Sequence, residues 1–167
     1  MTNEKCTSKF VFAIHPTTRG FGFAIFEDSQ SLVDWGAVTI KFNKNTQCLN
    51  RIFSLVDFYN PDILIVEDTT DPSSRRCQRV QKLIQNILKE CQARKLQASK
   101  YSRSTIRGVF EQFNAKTKYM IAKKIVEWLP VLQARLPPER KPWMSEDYRM
   151  GIFDAVALAI TFYYSNE

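Results

Sequence analysis

Three side chains stand where their types and settings invite chemistry: His15, Glu67 and Asp154. His15 is the only histidine of the chain and ends the apolar run "FVFAI". Glu67 and Asp68 close the run "ILIV". Successive residues of a strand face opposite ways, so only one of these two acids joins a given site. Asp154 is the only charged residue from Gly151 to Ser165. Either it lies on the wet side of its helix or it faces the protein, where a carboxylate needs a partner or a metal. Acidic ligands that converge would hold Mg²⁺ or Mn²⁺ through hard oxygens. Two such ions about 4 Å apart activate water and stabilise the leaving oxygen in phosphodiester cleavage. A neutral His15 imidazole would suit Mn²⁺ better than Mg²⁺.

These residues are far apart in sequence, so the fold must assemble them. Residues 9–15 alternate and are rich in Phe, Val and Ile, which predicts a strand. "TTRG" turns the chain, residues 20–27 form a second strand, "EDSQS" turns it again, and residues 32–40 form a third. Short turns make these three an antiparallel meander. Leu49, Ile52, Phe53, Val56 and Phe58 then take helical spacing, and "YNPD" stops that helix. "DILIVED" fits a buried parallel strand. Residues 71–95 predict a long amphipathic helix with Pro72 and Ser73 at its start. Val80, Leu83, Ile84, Ile87, Leu88 and Cys91 line one side of it. "LQASKYS" predicts a fifth strand, followed by helical pieces over 106–113 and 116–136, a loop "LPPERKPW", and a last helix over 146–164. The expected architecture is α/β: one mixed sheet of about five strands, a meander and then parallel strands, with helices on both faces. If the first and fourth strands are neighbours, His15 and Glu67 come close. No repeat or linker divides the chain, so residues 1–167 are expected to form a single domain.

A net charge of +7 and a pI near 9.3 favour a polyanionic partner. Arg75, Arg79 and Lys82 would share a helical face. Lys100, Arg103 and Arg107 follow the fifth strand, and Lys116, Lys118, Lys123 and Lys124 crowd the next helix. Such groups either coat a solvated face or neutralise phosphates, giving salt-dependent binding without sequence preference. Tyr101, Phe110, Phe113 and Tyr119 lie among them, to stack on bases or to fill the core. The polar N-terminus lacks a signal peptide's apolar region, and residues 152–164 are too short an apolar run for a bilayer. A cytoplasmic location without membrane contact is expected. Cys6, Cys48, Cys77 and Cys91 are too scattered for a zinc site and read as free thiols.

The quoted runs resemble the RuvC-like Holliday junction resolvases of the ribonuclease H superfamily, over most of the chain. "FAIHPTTRGFGFAIF" looks like the family's opening strand, where an acid precedes a glycine-containing second strand. "ILIVED" looks like the strand of the second acid, here Glu67, and "GIFDAVALAITFYY" like the terminal helix, here with Asp154. The segment from Tyr101 to Leu129 is similar to the family's segment in which a Val-Lys-type pair, a glycine-rich turn and an "A-x-K" precede a helix; Arg107, Ala115, Thr117 and Lys118 occupy that neighbourhood, with Lys116 also available. Two positions depart: the opening acid is His15, and the family's acid or histidine one helical turn before the last acid is Gly151. No aromatic follows Glu67. Asp147, seven residues before Asp154, would share its face if the helix starts early, and Asp68 could serve if the strand end is bulged.

The resemblance implies a ribonuclease H-like fold, a Mg²⁺ or Mn²⁺ cofactor, branched DNA as substrate in recombination and repair, and a homodimer on a symmetric junction. It makes His15, Glu67 and Asp154 the catalytic set, with Asp147 as a further metal ligand. Arg75, Arg79, Lys82, Lys100, Arg103, Arg107, Lys116 and Lys118 are then the nucleic-acid-binding residues. The expected activity is metal-dependent endonuclease action on branched nucleic acid. The alternative is a degenerate site on a nucleic-acid-binding or assembly protein, signalled by His15 and Gly151. An actin-like or sugar-kinase-like ATPase would need two lobes and a phosphate motif that the chain lacks.

Overall fold

The computed structural model describes residues 10–72 and 74–166. Lys9, Cys6 and Ser73 lie outside the described residues. Strand β1 (Val11–Pro16) turns into β2 (Gly20–Asp28) and β3 (Ser31–Thr39). Helix α1 (Lys44–Tyr59), strand β4 (Ile63–Glu67), helix α2 (Gln78–Ala93) and strand β5 (Gln97–Tyr101) follow. Helices α3 (Arg103–Glu111), α4 (Lys118–Trp128) and α5 (Met150–Ser165) complete the order, with a 3₁₀ helix at Pro130–Arg135. The sheet has five strands in the order β3-β2-β1-β4-β5. β1 pairs antiparallel with β2 and parallel with β4, and β4 pairs parallel with β5. This is the mixed α/β sheet expected from the sequence.

The pleat sorts the side chains into two cores. Val11, Ala13, Ile63 and Ile65 pack against α5 with residues of α3 and α4. Phe12, Ile14, Leu64 and Val66 pack against α1 and α2. By the same alternation, His15 and Glu67 project towards the α5 face. The parallel register pairs Val11 with Ile63 and Ala13 with Ile65, and one further step puts His15 level with Glu67.

Several boundaries differ from expectation, each for a local reason. α2 begins at Gln78, not at Pro72, so Arg75 lies outside it and shares no helical face with Arg79 and Lys82. The predicted helix over 116–136 breaks after Trp128, because Pro130 lacks an N–H and disfavours helical geometry at Leu129, which sits at φ −130°. α3 starts earlier than expected because Ser102 caps it, its Oγ accepting from the Thr105 amide at 3.1 Å. Thr117 caps α4 likewise, accepting from the Met120 amide. α5 begins at Met150 rather than at residue 146. Phe58, expected on the apolar side of α1, is exposed.

α5 lies directly on the sheet, and two glycines let it. A Cβ on Gly22 would fall 2.2 Å from the Gly151 carbonyl carbon and oxygen. Gly22 is the β2 partner of His15. The first turn of α5 is thus pressed onto the strand beside His15, and Asp154 follows one turn later. Gly151 is therefore a packing contact: a Cβ there would already stand 3.1 Å from the Thr17 methyl.

Candidate active site

β1 and β4 end side by side at their carboxyl ends, where α/β sheets gather ligands. Their last inward-facing residues, His15 and Glu67, are both buried. Neither sits there freely, since burial of a polar group costs free energy unless a partner compensates. The His15 Nε2 stands 3.3 Å from Asp154 Oδ2, which joins the first strand to the last helix. Glu67 Oε2 is buried and accepts no hydrogen bond. His15, Glu67 and Asp154 together line one cleft of about 810 Å³.

Two cations reach into this group. The Lys118 ammonium bonds Glu146 Oε1 at 2.7 Å and Asp154 Oδ2 at 3.2 Å. The Arg76 guanidinium lies between His15 and Glu67: Nη1 is 3.4 Å from His15 Nε2, and Nε is 3.6 Å from Glu67 Oε2. Its Nη2 donates to the Pro16 carbonyl. Burial, with Arg76 and Lys118 adding to it, pushes the His15 pKa well below the ordinary histidine value, so the ring is neutral at neutral pH. Burial also raises Glu67, against the pull of Arg76 and Arg103. Burial alone would lower Lys118, but the carboxylates of Asp154 and Glu146 outweigh it and hold the ammonium above its usual value.

The expected binding residues divide. Arg103, Arg107, Lys116 and Lys118 line the cleft, together with Arg19 and Arg140, which no sequence pattern singles out. Lys118, partly exposed in the cleft, pairs with the carboxylates of Glu146 and Asp154. Arg79 donates to the Thr17 carbonyl at 2.9 Å and to Asn45 Oδ1 at 3.1 Å, so it braces the β1–β2 turn. Arg75 lines the smaller neighbouring pocket. Lys82 and Lys100 are exposed and are not among the lining residues of either pocket. Of the four aromatics considered for stacking, Tyr119 lines the cleft. Phe110 is buried in the core, and Phe113 packs edge-on against Trp128 at 4.9 Å.

The two substitute acids are placed differently from expectation. Asp147 precedes α5, so it shares no helical face with Asp154, but it lines the same cleft. Its carboxylate holds Arg149 through the backbone amide, Nε and Nη2 at 2.8 to 3.0 Å. Asp68 lies beyond the end of β4 and bonds Thr70 through Oδ1, while β4 continues unbulged to the Glu67–Tyr101 pair. Arg76 and Glu146 are site residues that the sequence does not reveal. Arg76 looks like part of the solvated start of α2, and Glu146 carries no signal beyond lying near Asp154.

The donor types suit a hard divalent cation: two carboxylates, a neutral imidazole, and a buried Glu67 oxygen with vacant lone pairs. Their closure is incomplete. Among the described residues, no three of His, Cys, Asp and Glu gather closely enough to hold an ion as they lie. The guanidinium of Arg76 lies in the gap. The donor chemistry of these residues fits a divalent ion, and their present spacing does not enclose one.

No family model and no curated protein matches the sequence. Solved structures do. RuvC of Thermus thermophilus aligns over 94% of this chain and 95% of its own, with a TM-score of 0.64 and 15% identity. The same protein in complex with a Holliday junction substrate aligns with the same score and identity over 95% of each chain. The yeast mitochondrial Holliday junction resolvase Ydc2 aligns over 94% of this chain and 78% of its own, with a TM-score of 0.61 and 16% identity. Sheet order, strand directions and near-complete coverage agree: this chain has the RuvC-like form of the ribonuclease H-like fold.

Proposed function

We propose that this chain is a structure-selective endonuclease of the Holliday junction resolvase type, acting on branched DNA with Mg²⁺ or Mn²⁺. One observation carries the reading. His15, Glu67 and Asp154, from three separated segments, share a cleft with Arg19, Arg103, Arg107 and Lys116. The basic groups would hold the phosphate backbone, and the acids would face the scissile phosphate. Glu67, Asp154 and His15 would hold the metal, whose chemistry is to activate water and stabilise the departing oxygen. Asp147, tied to Arg149, is left out of that set. Lys118 bonds Asp154 and holds its carboxylate in place. The neutral His15 ring can accept a proton from a water or orient it.

The same reading makes the chain a single cytoplasmic domain that dimerises, so that two clefts meet the two symmetric strands of a junction. In support of the location, no helix among the described residues is long and apolar enough to cross a membrane. Cys48, Cys77 and Cys91 are free thiols.

A second reading, junction binding without cutting, is favoured by the contacts of Arg76 and Lys118 with the acids and by Gly151 at a packing position. A labelled four-way junction incubated in Mg²⁺ and in Mn²⁺ separates the two. Cutting that is lost in Glu67→Gln supports the nuclease. Tight binding with intact strands in both metals supports the second reading, and no binding at low salt removes both.

A further inference from the structure

Arg76 makes contacts that do not agree with one another. For its guanidinium to bond His15, Nε2 must present a lone pair, because arginine only donates. For His15 to bond Asp154, the same Nε2 must carry the proton. One nitrogen cannot do both. The contact to Glu67, at 3.6 Å, is an ion pair too long for a hydrogen bond, and it leaves Glu67 Oε2 unsatisfied. Only the bond to the Pro16 carbonyl is complete. The residue comes from the stretch before α2, outside any helix or strand, and its carbonyl accepts from Gln81 Nε2 at 2.8 Å. A guanidinium that fills a gap among donors while satisfying few of them is a poor structural tie. It is a good placeholder for charge.

We propose that Arg76 is an exchangeable internal cation. In the free protein it neutralises Glu67 and covers the His15 nitrogen, and a divalent ion enters the cleft by displacing it. This rests on the reading of Glu67 and His15 as metal donors and adds a positioning residue that sets metal affinity. No covalent step is involved, only the exchange of one counter-ion for another. Lys118 does not share this role: it makes two hydrogen bonds to carboxylates at 2.7 and 3.2 Å and is held by both. Withdrawal of Arg76 also frees His15 Nε2 to settle on a single partner.

The test is Mn²⁺ binding to the full chain without nucleic acid, followed by electron paramagnetic resonance of the free ion. Arg76→Gln removes the competing charge and should tighten Mn²⁺ binding about tenfold, within the usual range of coupling between two ligands. Arg76→Lys keeps a charge but loses the fork that spans His15, Glu67 and Pro16, and should bind with intermediate affinity; it also serves if Arg76→Gln fails to fold. Lys89→Gln, on the exposed side of α2, makes the same change in net charge away from the cleft and should leave affinity near wild type. Unchanged or weaker binding in Arg76→Gln overturns the proposal, as does equal tightening in Lys89→Gln. Junction binding in the presence of a chelator is measured separately. If it persists while Arg76→Gln leaves Mn²⁺ affinity unmoved, the inference fails and the nucleic-acid reading stands.

Discussion

Gly22→Ala is the smallest change that tests how the fold positions its site. A methyl group at residue 22 would sit 2.2 Å from the Gly151 carbonyl carbon and oxygen and 2.8 Å from its Cα. Ordinary contact begins near 3.4 Å, so α5 and β2 must part by more than an ångström at this crossing. The obstacle is backbone on both sides, with no flexible side chain to swing away. α5 is buried along most of its length, from Met150 to Phe162, so it has little room to shift. Overpacking of this kind costs about 3 kcal/mol or more. Gly108→Ala is the matched control, because a Cβ there meets nothing within 4 Å and Gly108 lies inside α3. That change should stabilise by about 0.8 kcal/mol through helix propensity alone. Urea unfolding followed by circular dichroism, with the slope unchanged between variants, reads both. Gly22→Ala should also part Asp154 from His15 and lower activity at temperatures where the variant remains folded. Equal stability for Gly22→Ala and Gly108→Ala would refute the close crossing and the account of why residue 151 is glycine.

The basic rim should act through phosphate charge. Arg103→Gln combined with Lys116→Gln should weaken junction binding and reduce the slope of log affinity against log salt by about 0.9 for each phosphate that is no longer neutralised; an unchanged slope in a fluorescence anisotropy titration would place the nucleic acid elsewhere. Tyr59 donates its hydroxyl to Asp34 Oδ2 at 2.5 Å, and this bond to a carboxylate, with burial second, pushes its pKa from 10.0 up to about 12. The folded value lies above the unfolded one, so this contribution to stability is complete below pH 10.0 and is lost as pH rises through about 12. Burial raises Tyr163 as well, so spectrophotometric titration of the phenolates should show a late component from Tyr59 that moves back towards 10.0 in Asp34→Asn while that of Tyr163 stays late.

The sheet is legible in the sequence because strand alternation is a strong signal. The even and odd residues of β1 and β4 sort onto opposite cores as their spacing implies, which is why His15 and Glu67 can be paired without coordinates. Asp154 is legible as a lone charge in an apolar helix. Element starts are harder. Nothing in "DPSSRRCQRV" marks residue 77 as the cap of α2, and that cap makes no side-chain hydrogen bond. The backbone there is extended, and Arg76 reaches Pro16, His15 and Glu67, contacts between segments that no local pattern encodes. The same holds for α5, where the Asp147–Arg149 turn replaces a helical first turn, so Asp147 reaches the cleft from the segment before the helix. Gly151 reads in sequence as a missing acid. In the structure it is where helix and sheet touch.

Mapping cut positions on a four-way junction tests the central claim most directly. The four strands are end-labelled in turn, and linear duplexes with the same arm sequences are run beside them in Mn²⁺. The account predicts cuts near the branch point, none in the duplexes, and none with Asp154→Asn, which should still bind the junction. Cutting of duplex and junction alike, or undiminished cutting by Asp154→Asn, would contradict it.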